Sequence, residues 1–351
     1  MFIRATVLVM LIAASYLAGP MHAAMAGEAD KKLDIYWVDV EGGAATLIVT
    51  PAGESILIDS GNPGRRDAER IFEVAAKTAR LTRIDHLITT HYHGDHFGGA
   101  ATLATIMPIE HVHDNGMFEG LRERPSKEYL EFKAGQRSVL SPGDDMPLKQ
   151  ADDAALPRLS MRCLCARQQT IAAPLVENIG ENPGCADAKT RPIDNSDNAN
   201  SIVMLLKLGE FEFFDAGDLT WNIEEKLACP RNMVGTVDVY QVSHHGLDSS
   251  NNPVLIRALE PTVAIMNNGV TKGCEPYTFA ALKDAPSIKA VYQSHRNERE
   301  DSVNNTADEF IANRGKDDCQ ANYIHLSVAP SGESYEIAIP ANKHSETYQT
   351  K

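Results

Sequence analysis

The chain has 351 residues, 43% hydrophobic and 23% charged, and its formal net charge is −15 because 48 acidic side chains outnumber 33 basic ones. These values are typical of a globular protein and exclude a disordered, collagenous or fibrous chain. The acidity argues against a broad nucleic-acid-binding surface, because such a surface needs Lys and Arg to replace the counterions of the phosphates.

The first 26 residues have the pattern of a secretory signal peptide. A single charge at Arg4 precedes an apolar run over residues 5–18, and Ala24-Met25-Ala26 follows as a small-x-small cleavage site. A membrane anchor is the alternative, but the run is short for a bilayer span and Gly19-Pro20 interrupts it. We therefore expect an exported protein, periplasmic or secreted, with no membrane span in its mature chain.

Export affects how the six cysteines are interpreted. An oxidising compartment permits disulfides, and six cysteines allow 15 pairings, among which the sequence does not choose. Cys163-Leu-Cys165 has no second cysteine or histidine pair nearby, so disulfides or buried thiols are favoured over a metal site.

Short apolar runs bounded by turn residues predict alternating strands and helices. In the first part of the chain, strands are predicted at 33–40, 45–50, 55–59, 84–89 and 109–112, and helices at 65–80 and 97–106. In the second part, strands are predicted at 201–208, 212–216, 237–243, 262–266 and 289–293, a helix at 279–283, and a hairpin at 323–339. Strands followed by helices in two runs indicate a layered α/β domain.

The middle of the chain, residues 114–198, is rich in Pro, Gly and Asp and has few clear periods. Segments 139–148 and 159–171 could be strands, but most of 173–198 resembles a loop. Because long structureless stretches are unusual inside compact domains, we interpret 114–198 as a surface insertion, with Cys185 as a candidate anchor. A lid over the active site and a plain solvated loop both remain open. The organisation is then a signal peptide at 1–26, one domain at 27–340 and a frayed tail at 341–351.

The segment His91-Tyr-His93-Gly-Asp95-His96 directly follows a predicted strand. Neutral imidazole and carboxylate are the ligands that Zn²⁺, Mn²⁺ and Fe prefer. His91 and His93 are two residues apart, so an extended backbone points both the same way. Gly94 permits a tight bend that can turn Asp95 and His96 toward a second point, apart from that of His91 and His93. One loop can therefore supply ligands to two neighbouring metal ions.

This segment resembles the His-x-His-x-Asp-His signature of the metallo-β-lactamase superfamily. Three further segments resemble the family's motifs and follow in family order: Ser55-Ile-Leu-Ile-Asp59-Ser-Gly61, Phe213-Phe-Asp-Ala-Gly217-Asp218, and Val239-Tyr-Gln-Val-Ser-His244-His245-Gly246. The resemblance covers residues 33–297. It implies an α/β fold of the metallo-β-lactamase type, a four-layer αββα sandwich.

The resemblance also implies a role for each matching residue. His91 and His93 would hold the first metal, and Asp218 would bridge to a second. Asp95, His96 and His244 would hold that second metal, with His244 favoured over its neighbour by its position at the strand end. Asp59 would fix a ligand imidazole from the outer shell. His245 would orient His244 or contact substrate. We expect one or two Zn²⁺ ions, with Mn²⁺ or Fe as alternatives, and Asp95 and Asp218 as the catalytic carboxylates.

One family feature is missing. The family has a further first-metal histidine about twenty residues before the bridging aspartate, but no histidine lies between His113 and His244. The expected place instead carries Asn200-Ser201, so the first metal would be held by fewer ligands, with water or Asn200 in support, or be absent. His111 and His113 are expected on a non-ligand strand. The Asn-Ser, Gly-Asp and His-His-Gly segments resemble the hydrolase domain of the competence protein ComEC and its stand-alone relatives.

These features favour an exported metal-dependent hydrolase that uses a metal-activated water. The resemblance to ComEC relatives favours a phosphodiester or other small ester as substrate. The acidity favours a small or short anionic molecule over long nucleic acid. A lactone or amide of the β-lactam type is an alternative substrate. A non-catalytic metal-binding protein with a degenerate first site is the alternative of a different class.

Overall fold

The structure is a computed structural model that describes residues 27–177, 179–300, 304–315 and 319–351. The predicted signal peptide at 1–26 lies outside these residues. Among the helices within them, none is long and apolar enough to cross a membrane.

The described residues contain two large sheets, whose strands we number in chain order. The first strands are β1 (Leu33–Trp37), β2 (Thr46–Val49), β3 (Ser55–Ile58), β4 (Ile84–Ile88), β5 (Ile109–Asp114) and β6 (Gln136–Val139). Then follow β7 (Leu159–Ala166), β8 (Gln169–Thr170), β9 (Val203–Leu208), β10 (Phe211–Asp215), β11 (Val239–Gln241), β12 (Val263–Met266), β13 (Ala290–His295) and β14 (Ile311–Asn313). The last are β15 (Ile324–Val328), β16 (Ser334–Ile339) and β17 (His344–Gln349). The first sheet has the order β17-β16-β15-β1-β2-β3-β4-β5-β6, and the second β14-β13-β12-β11-β10-β9-β7-β8.

The helices connect these strands. They are α1 (Arg65–Phe72), α2 (Gly94–Phe97), α3 (Ala100–Leu103), α4 (Lys127–Glu131), α5 (Trp221–Ala228), α6 (Pro253–Leu259) and α7 (Pro276–Lys283). α1 continues as a π-helical segment, Glu73–Thr78, so the helix predicted at 65–80 is confirmed. Ile71, Val74 and Ala75, the apolar residues at helical spacing, are all buried.

Four layers follow from how the apolar faces pair. The inner faces of the two sheets pack on each other, and Trp37 of β1 meets Phe213 of β10 edge-to-face, with ring centroids 5.6 Å apart. A second apolar cluster joins α1 and α3 to the outer face of the first sheet. A third joins α5, α6 and α7 to the outer face of the second sheet. The predicted αββα sandwich is therefore confirmed.

The parallel strands bring the predicted motifs to one edge of the sandwich. β3 and β4 are parallel in the first sheet, and β10 and β11 are parallel in the second. Loops at the carboxyl ends of such strands form the usual site of open α/β sheets. Asp59, His91, Asp218 and His244 all lie just beyond these ends.

The expectation that 114–198 is a surface insertion is wrong for its strands. β6 forms an edge of the first sheet and β7 pairs with β9 in the second, so only the connecting loops lie outside the sandwich. The backbone of β6 pairs with β5, and the backbone of β7 pairs with β9. The Pro and Gly residues around these two segments hid their strand character in the sequence. The expected frayed tail at 341–351 is also wrong, because β17 pairs with β16 over six residues.

Cys185 forms a disulfide with Cys229, next to α5, and so anchors the loop as predicted. Cys163 and Cys165 are buried free thiols on β7, one of the two arrangements that the sequence favoured for this pair. Burial raises the pKa of Cys163 to about 12, so the thiol stays protonated and unreactive at neutral pH.

Glu224 of α5 is fully buried and provides a pH-dependent contribution to stability. One of its carboxyl oxygens accepts the backbone N–H of Asn252 at 2.7 Å. Burial raises the pKa of Glu224 to about 7, from an ordinary value of 4.5. A raised carboxyl pKa means that the folded state binds the proton more tightly. The contribution is therefore complete below pH 4.5 and is lost as the pH rises through about 7.

We expect Glu224→Gln to stabilise the protein at pH 8 relative to the wild type, by up to about 3 kcal/mol, because the amide needs no proton to remain neutral. Urea unfolding of both proteins at pH 5 and pH 8 measures this difference. Glu225→Gln, at the partly exposed next position, is the control. An equal effect of Glu224→Gln at both pH values would contradict the prediction.

Candidate metal centre

The loop after β4 has the shape that the spacing of its ligands predicts. His93 is extended, with φ −90° and ψ 146°, and α2 begins at the next residue, Gly94. The chain therefore turns between His93 and Asp95. The rings of His91 and His96 lie 4.1 Å apart between centroids, and those of His91 and His93 4.7 Å apart.

Asp218, which follows β10, lies at the centre of the imidazoles. Its Oδ2 is 3.2 Å from Nε2 of His96 and 3.9 Å from Nε2 of His91. It is also 3.4 Å from the Nε2 atoms of both His244 and His245. One carboxylate oxygen thus faces four imidazole nitrogens, contributed by loops of both sheets.

The ligand-type atoms form two groups that share Asp218. His91, His93 and Asp218 have ligand atoms within 4.8 Å of one another, and so do Asp95, His96, Asp218 and His245. A carboxylate common to two such groups is the arrangement of a two-metal site. The chemistry of the donors, imidazole nitrogen and carboxylate oxygen, suits Zn²⁺, Mn²⁺ or Fe.

The two adjacent histidines differ from the expected arrangement. His245 belongs to the second group, and its Nε2 is 3.2 Å from Oδ2 of Asp95. His244, which the motif favoured as a ligand, has its Nδ1 beside the hydroxyls of Ser249 and Ser250 and its Nε2 3.3 Å from Nδ2 of Asn198. Both residues have positive φ, 53° and 54°. This backbone turn directs the second imidazole, rather than the first, toward Asp95.

Asp59 contacts the imidazole of His96, one of the rings that the family resemblance expects it to orient. Its Oδ2 lies 2.7 Å from Nδ1 of His96, and its carboxylate also accepts the backbone N–H and hydroxyl of Thr90. Nε2 of His96 is thereby directed at Asp218. The loop approaches β3 closely enough that a Cβ on Gly99 would lie 2.0 Å from the carbonyl oxygen of Ser60.

Asn200 does not face the ligands. Its amide donates to Asp197 at 2.8 Å, and its carbonyl accepts from Gln168 at 3.2 Å. The asparagine beside the histidines is Asn198, two residues earlier, in the same 3₁₀ turn (Asp197–Asn200). The structure therefore places Asn198, rather than Asn200, in contact with the histidines of the site.

The charges in the site are strongly coupled. Burial alone would lower the pKa of His96, but the carboxylates of Asp218, Asp59 and Asp95 raise it well above its ordinary value. Burial alone would raise the pKa of Asp218, but the imidazoles around it hold that pKa well below the ordinary value. A buried carboxylate held ionised among imidazoles favours the binding of a cation.

His91 provides a test of whether a metal fits. It is completely buried, and its Nε2, directed toward Asp218, has no hydrogen-bond partner among the described residues. Burial and the nearby His96 lower the pKa of His91 well below its ordinary value, so the ring is neutral and offers a lone pair. An unpartnered, buried, neutral imidazole nitrogen is costly unless something binds it. The residues present therefore fit a metal ion.

Two charged residues at the site were not predicted. Oε2 of Glu123, between β5 and α4, lies 2.5 Å from Nε2 of His93 and also accepts the backbone N–H of Asp197 at 2.9 Å. Lys272, between β12 and α7, forms an ion pair with Asp95. Both residues come from loops that no motif marks. Nothing in the sequence predicts the contact of Glu123 with His93, apart from the position of Glu123 in the segment that follows β5.

We expect Glu123→Ala to weaken metal binding at the first group by about 10–100-fold, the usual cost of losing a carboxylate that orients a ligand imidazole. Titration of the chelator-treated protein with Zn²⁺ measures this. Glu119→Ala, an exposed residue of the same loop, is the control. Unchanged affinity in Glu123→Ala would show that the contact with His93 does not support a ligand.

Comparison with known proteins agrees with these motifs. The family model of the metallo-β-lactamase superfamily matches residues 38–157. A UPF0173 metal-dependent hydrolase of Cupriavidus metallidurans is 34% identical over 98 residues, which cover 27% of this chain and 31% of the relative. Recombination protein 2 of Haemophilus influenzae is 26% identical over 234 residues, 66% of this chain and 24% of the relative. The chain thus spans less than a third of the length of either relative.

Among solved structures, the metallo-β-lactamase fold protein YhfI from Bacillus subtilis is similar, with 10% identity and a TM-score of 0.45 over 75% of this chain and 96% of that one. The match to recombination protein 2 lends only weak support to the resemblance to ComEC relatives. The part of the chain that the family model matches contains the His91–His96 loop. Residues 38–157, which carry this loop, are thus similar to the metallo-β-lactamase superfamily, in agreement with the motifs of the sequence.

Proposed function

We propose that the protein is a metal-dependent hydrolase that acts on a phosphodiester or another small ester. The observation that carries this proposal is the position of Asp218, one of whose oxygens faces the nitrogens of His91, His96, His244 and His245 at 3.2–3.9 Å. No packing role explains four imidazoles around one buried carboxylate. The similarity to a UPF0173 metal-dependent hydrolase supports the same reaction class.

The residues divide between two metal positions. His91, His93 and Asp218 would hold one ion, and Asp95, His96, Asp218 and His245 the other. We propose Zn²⁺ as the occupant, since imidazoles predominate. When bound, the metal supplies an acidified water and a positive charge for a phosphoryl or carbonyl oxygen of the substrate.

The protein's own residues provide orientation and charge around that chemistry. Asp59 keeps Nε2 of His96 directed inward through its contact with Nδ1. Burial lowers the pKa of His244 to about 4, so its ring is neutral at neutral pH, and the ring lies between Asn198 and Asp218. His244 is therefore placed to hydrogen-bond a substrate. Lys272, beside Asp95 and partly exposed, places a positive charge where an anionic substrate would approach.

A phosphodiester is favoured over a lactone or β-lactam for two reasons. Lys272 and the metals give a local positive charge in a chain whose net charge is −15. A small anion can reach this site, whereas long nucleic acid would meet the acidic exterior. The histidine that the β-lactam-type site would add is absent, since no histidine lies between His113 and His244.

Metal analysis together with a substrate panel tests the proposal. We expect about two metal ions at the centre around Asp218 and turnover of a chromogenic phosphodiester that exceeds turnover of a lactone and a β-lactam. Higher activity on the lactone or β-lactam would keep the hydrolase and overturn the substrate class. No metal above background and no turnover on any substrate would favour the non-catalytic binding protein.

We further propose that the protein is exported to the periplasm or beyond. The sequence pattern of residues 1–26 and the Cys185–Cys229 disulfide support this, because disulfides persist mainly in oxidising compartments. Expression of the full chain followed by cell fractionation and N-terminal sequencing tests it. A cytoplasmic product that retains residues 1–26 would contradict it.

A further inference from the structure

A second cluster of histidines lies inside the sandwich, apart from the centre around Asp218. β3, β4 and β5 are parallel neighbours, and Ile56 and Ile58 of β3 point into the inter-sheet core. The register places His86 beside Ile56 and His111 beside His86, and it places His113 beside Ile88. His86 and His113 therefore occupy inner-face positions beside isoleucines of the adjacent strand, and His111, beside His86, lies on the same face.

The three rings converge at short distances. Nδ1 of His86 lies 3.0 Å from Nε2 of His113, and the rings of His111 and His113 lie 4.0 Å apart between centroids. One ring nitrogen from each histidine lies within 4.8 Å of the other two. Two nitrogens bound to one tetrahedral Zn²⁺ at 2.0–2.1 Å would be about 3.3 Å apart, close to the separation observed between His86 and His113.

Neighbouring polar groups hold the outer nitrogens. Oε1 of buried Glu54 lies 3.2 Å from Nε2 of His86, and the hydroxyl of Ser138 lies 2.8 Å from Nδ1 of His113 and 3.1 Å from Nε2 of His111. A carboxylate on the far nitrogen of an imidazole fixes the ring's orientation, which is the usual outer shell of a metal-bound histidine, and here it directs Nδ1 of His86 at Nε2 of His113. Glu54 also supplies a negative charge next to the cluster.

The histidines of the cluster are hard to protonate, so their ring nitrogens are available to bind a metal cation. Burial and the neighbouring imidazoles of His111 and His86 lower the pKa of His113 to about 3, and burial together with His86 lowers the pKa of His111. These rings therefore keep free lone pairs at neutral pH. His111 is partly exposed while His86 and His113 are buried, so an ion can enter from the side of His111.

We propose that His86, His111 and His113 form a separate binding site for a divalent transition-metal ion that prefers imidazole, such as Zn²⁺ or Cu²⁺. The inference goes beyond the proposed function and does not depend on it. His86 lies within β4, whereas His91 lies in the loop beyond the end of that strand at Ile88. Among the described residues, the ligand-type atoms of the cluster form a group that shares no residue with the two groups around Asp218.

Zinc stoichiometry of the full chain tests this site. The protein is treated with chelator, dialysed against buffered Zn²⁺ and analysed for metal by mass spectrometry. We expect His111→Gln to bind one ion fewer per chain than the wild type. The matched control is His325→Gln, since His325 lies on the same sheet and pairs with Asp34 outside any such cluster, and it should lose no ion. Equal stoichiometry in the wild type and His111→Gln would overturn the proposal.

A second measurement requires no variant and so holds even if His111→Gln fails to fold. Acylation of histidines by diethyl pyrocarbonate, read peptide by peptide, should label partly exposed His111 in the metal-free protein. Added Zn²⁺ should reduce the labelling of His111 at least tenfold and leave that of His325 unchanged. Labelling of His111 that does not respond to Zn²⁺ would overturn the proposal, whatever the state of the centre around Asp218.

Discussion

Asp218→Ala is expected to lose at least one metal ion per chain and more than about 100-fold of the hydrolytic rate, since losing even an outer-shell partner costs 10–100-fold. The reason is that Asp218 alone belongs to both ligand groups. Without its carboxylate, the imidazoles of His96 and His245 face each other with less negative charge between them. A cation then binds neither group well.

Metal analysis and the phosphodiester assay measure both effects in the same preparation. The fold should persist, because the three apolar clusters do not include Asp218. Asp248→Asn is the matched control, since Asp248 lies three residues after His245 and accepts the N–H groups of Tyr277 and Thr278 at the start of α7. If Asp218→Ala kept its metal and its rate, the assignment of the centre would be wrong.

His245→Ala is expected to lose the second metal and more than about 100-fold in kcat/KM, whereas His244→Ala should keep its metal content and lose less than about 100-fold. The structure places His245 among the ligands of the second group and His244 beside Asn198. Removal of His244 therefore takes away a contact to substrate rather than a ligand.

The two variants are compared by metal content first, because this readout does not depend on which substrate is used. Each removes one buried imidazole of the same loop, so each serves as the control for the other. Loss of metal in His244→Ala but not in His245→Ala would restore His244 as the ligand that the sequence motif favoured.

Features of the fold and the site that depend on neighbouring residues were predicted correctly from the sequence. The strand of residues 84–89 and the spacing of His91, His93 and His96 are short-range patterns, and the structure retains both. The role of Asp59 and the αββα sandwich were implied by the resemblance to the metallo-β-lactamase superfamily, and the structure places Asp59 beside His96.

Other features depended on backbone conformation or on distant segments. Which of His244 and His245 lies with the second ligand group follows from the positive φ angles of both residues. The residue types in that loop do not predict such angles. Glu123 reaches His93 across 30 residues of chain, and His86 meets His113 only through sheet register. β17 is a polar edge strand with little apolar alternation, so its pairing with β16 was hidden from a hydrophobic pattern.

The backbone at His244 and His245 has a consequence for engineering. Two consecutive residues with side chains occupy left-handed conformations, at a cost of roughly 1–2 kcal/mol each. Glycine would adopt these angles without that cost. However, glycine at either position would delete a buried imidazole, leave a cavity and remove a partner of the Asp218 carboxylate. The contacts of the two imidazoles with Asp218 thus offset the cost of the turn, and replacing either histidine to relieve its backbone would not make the protein more heat-resistant.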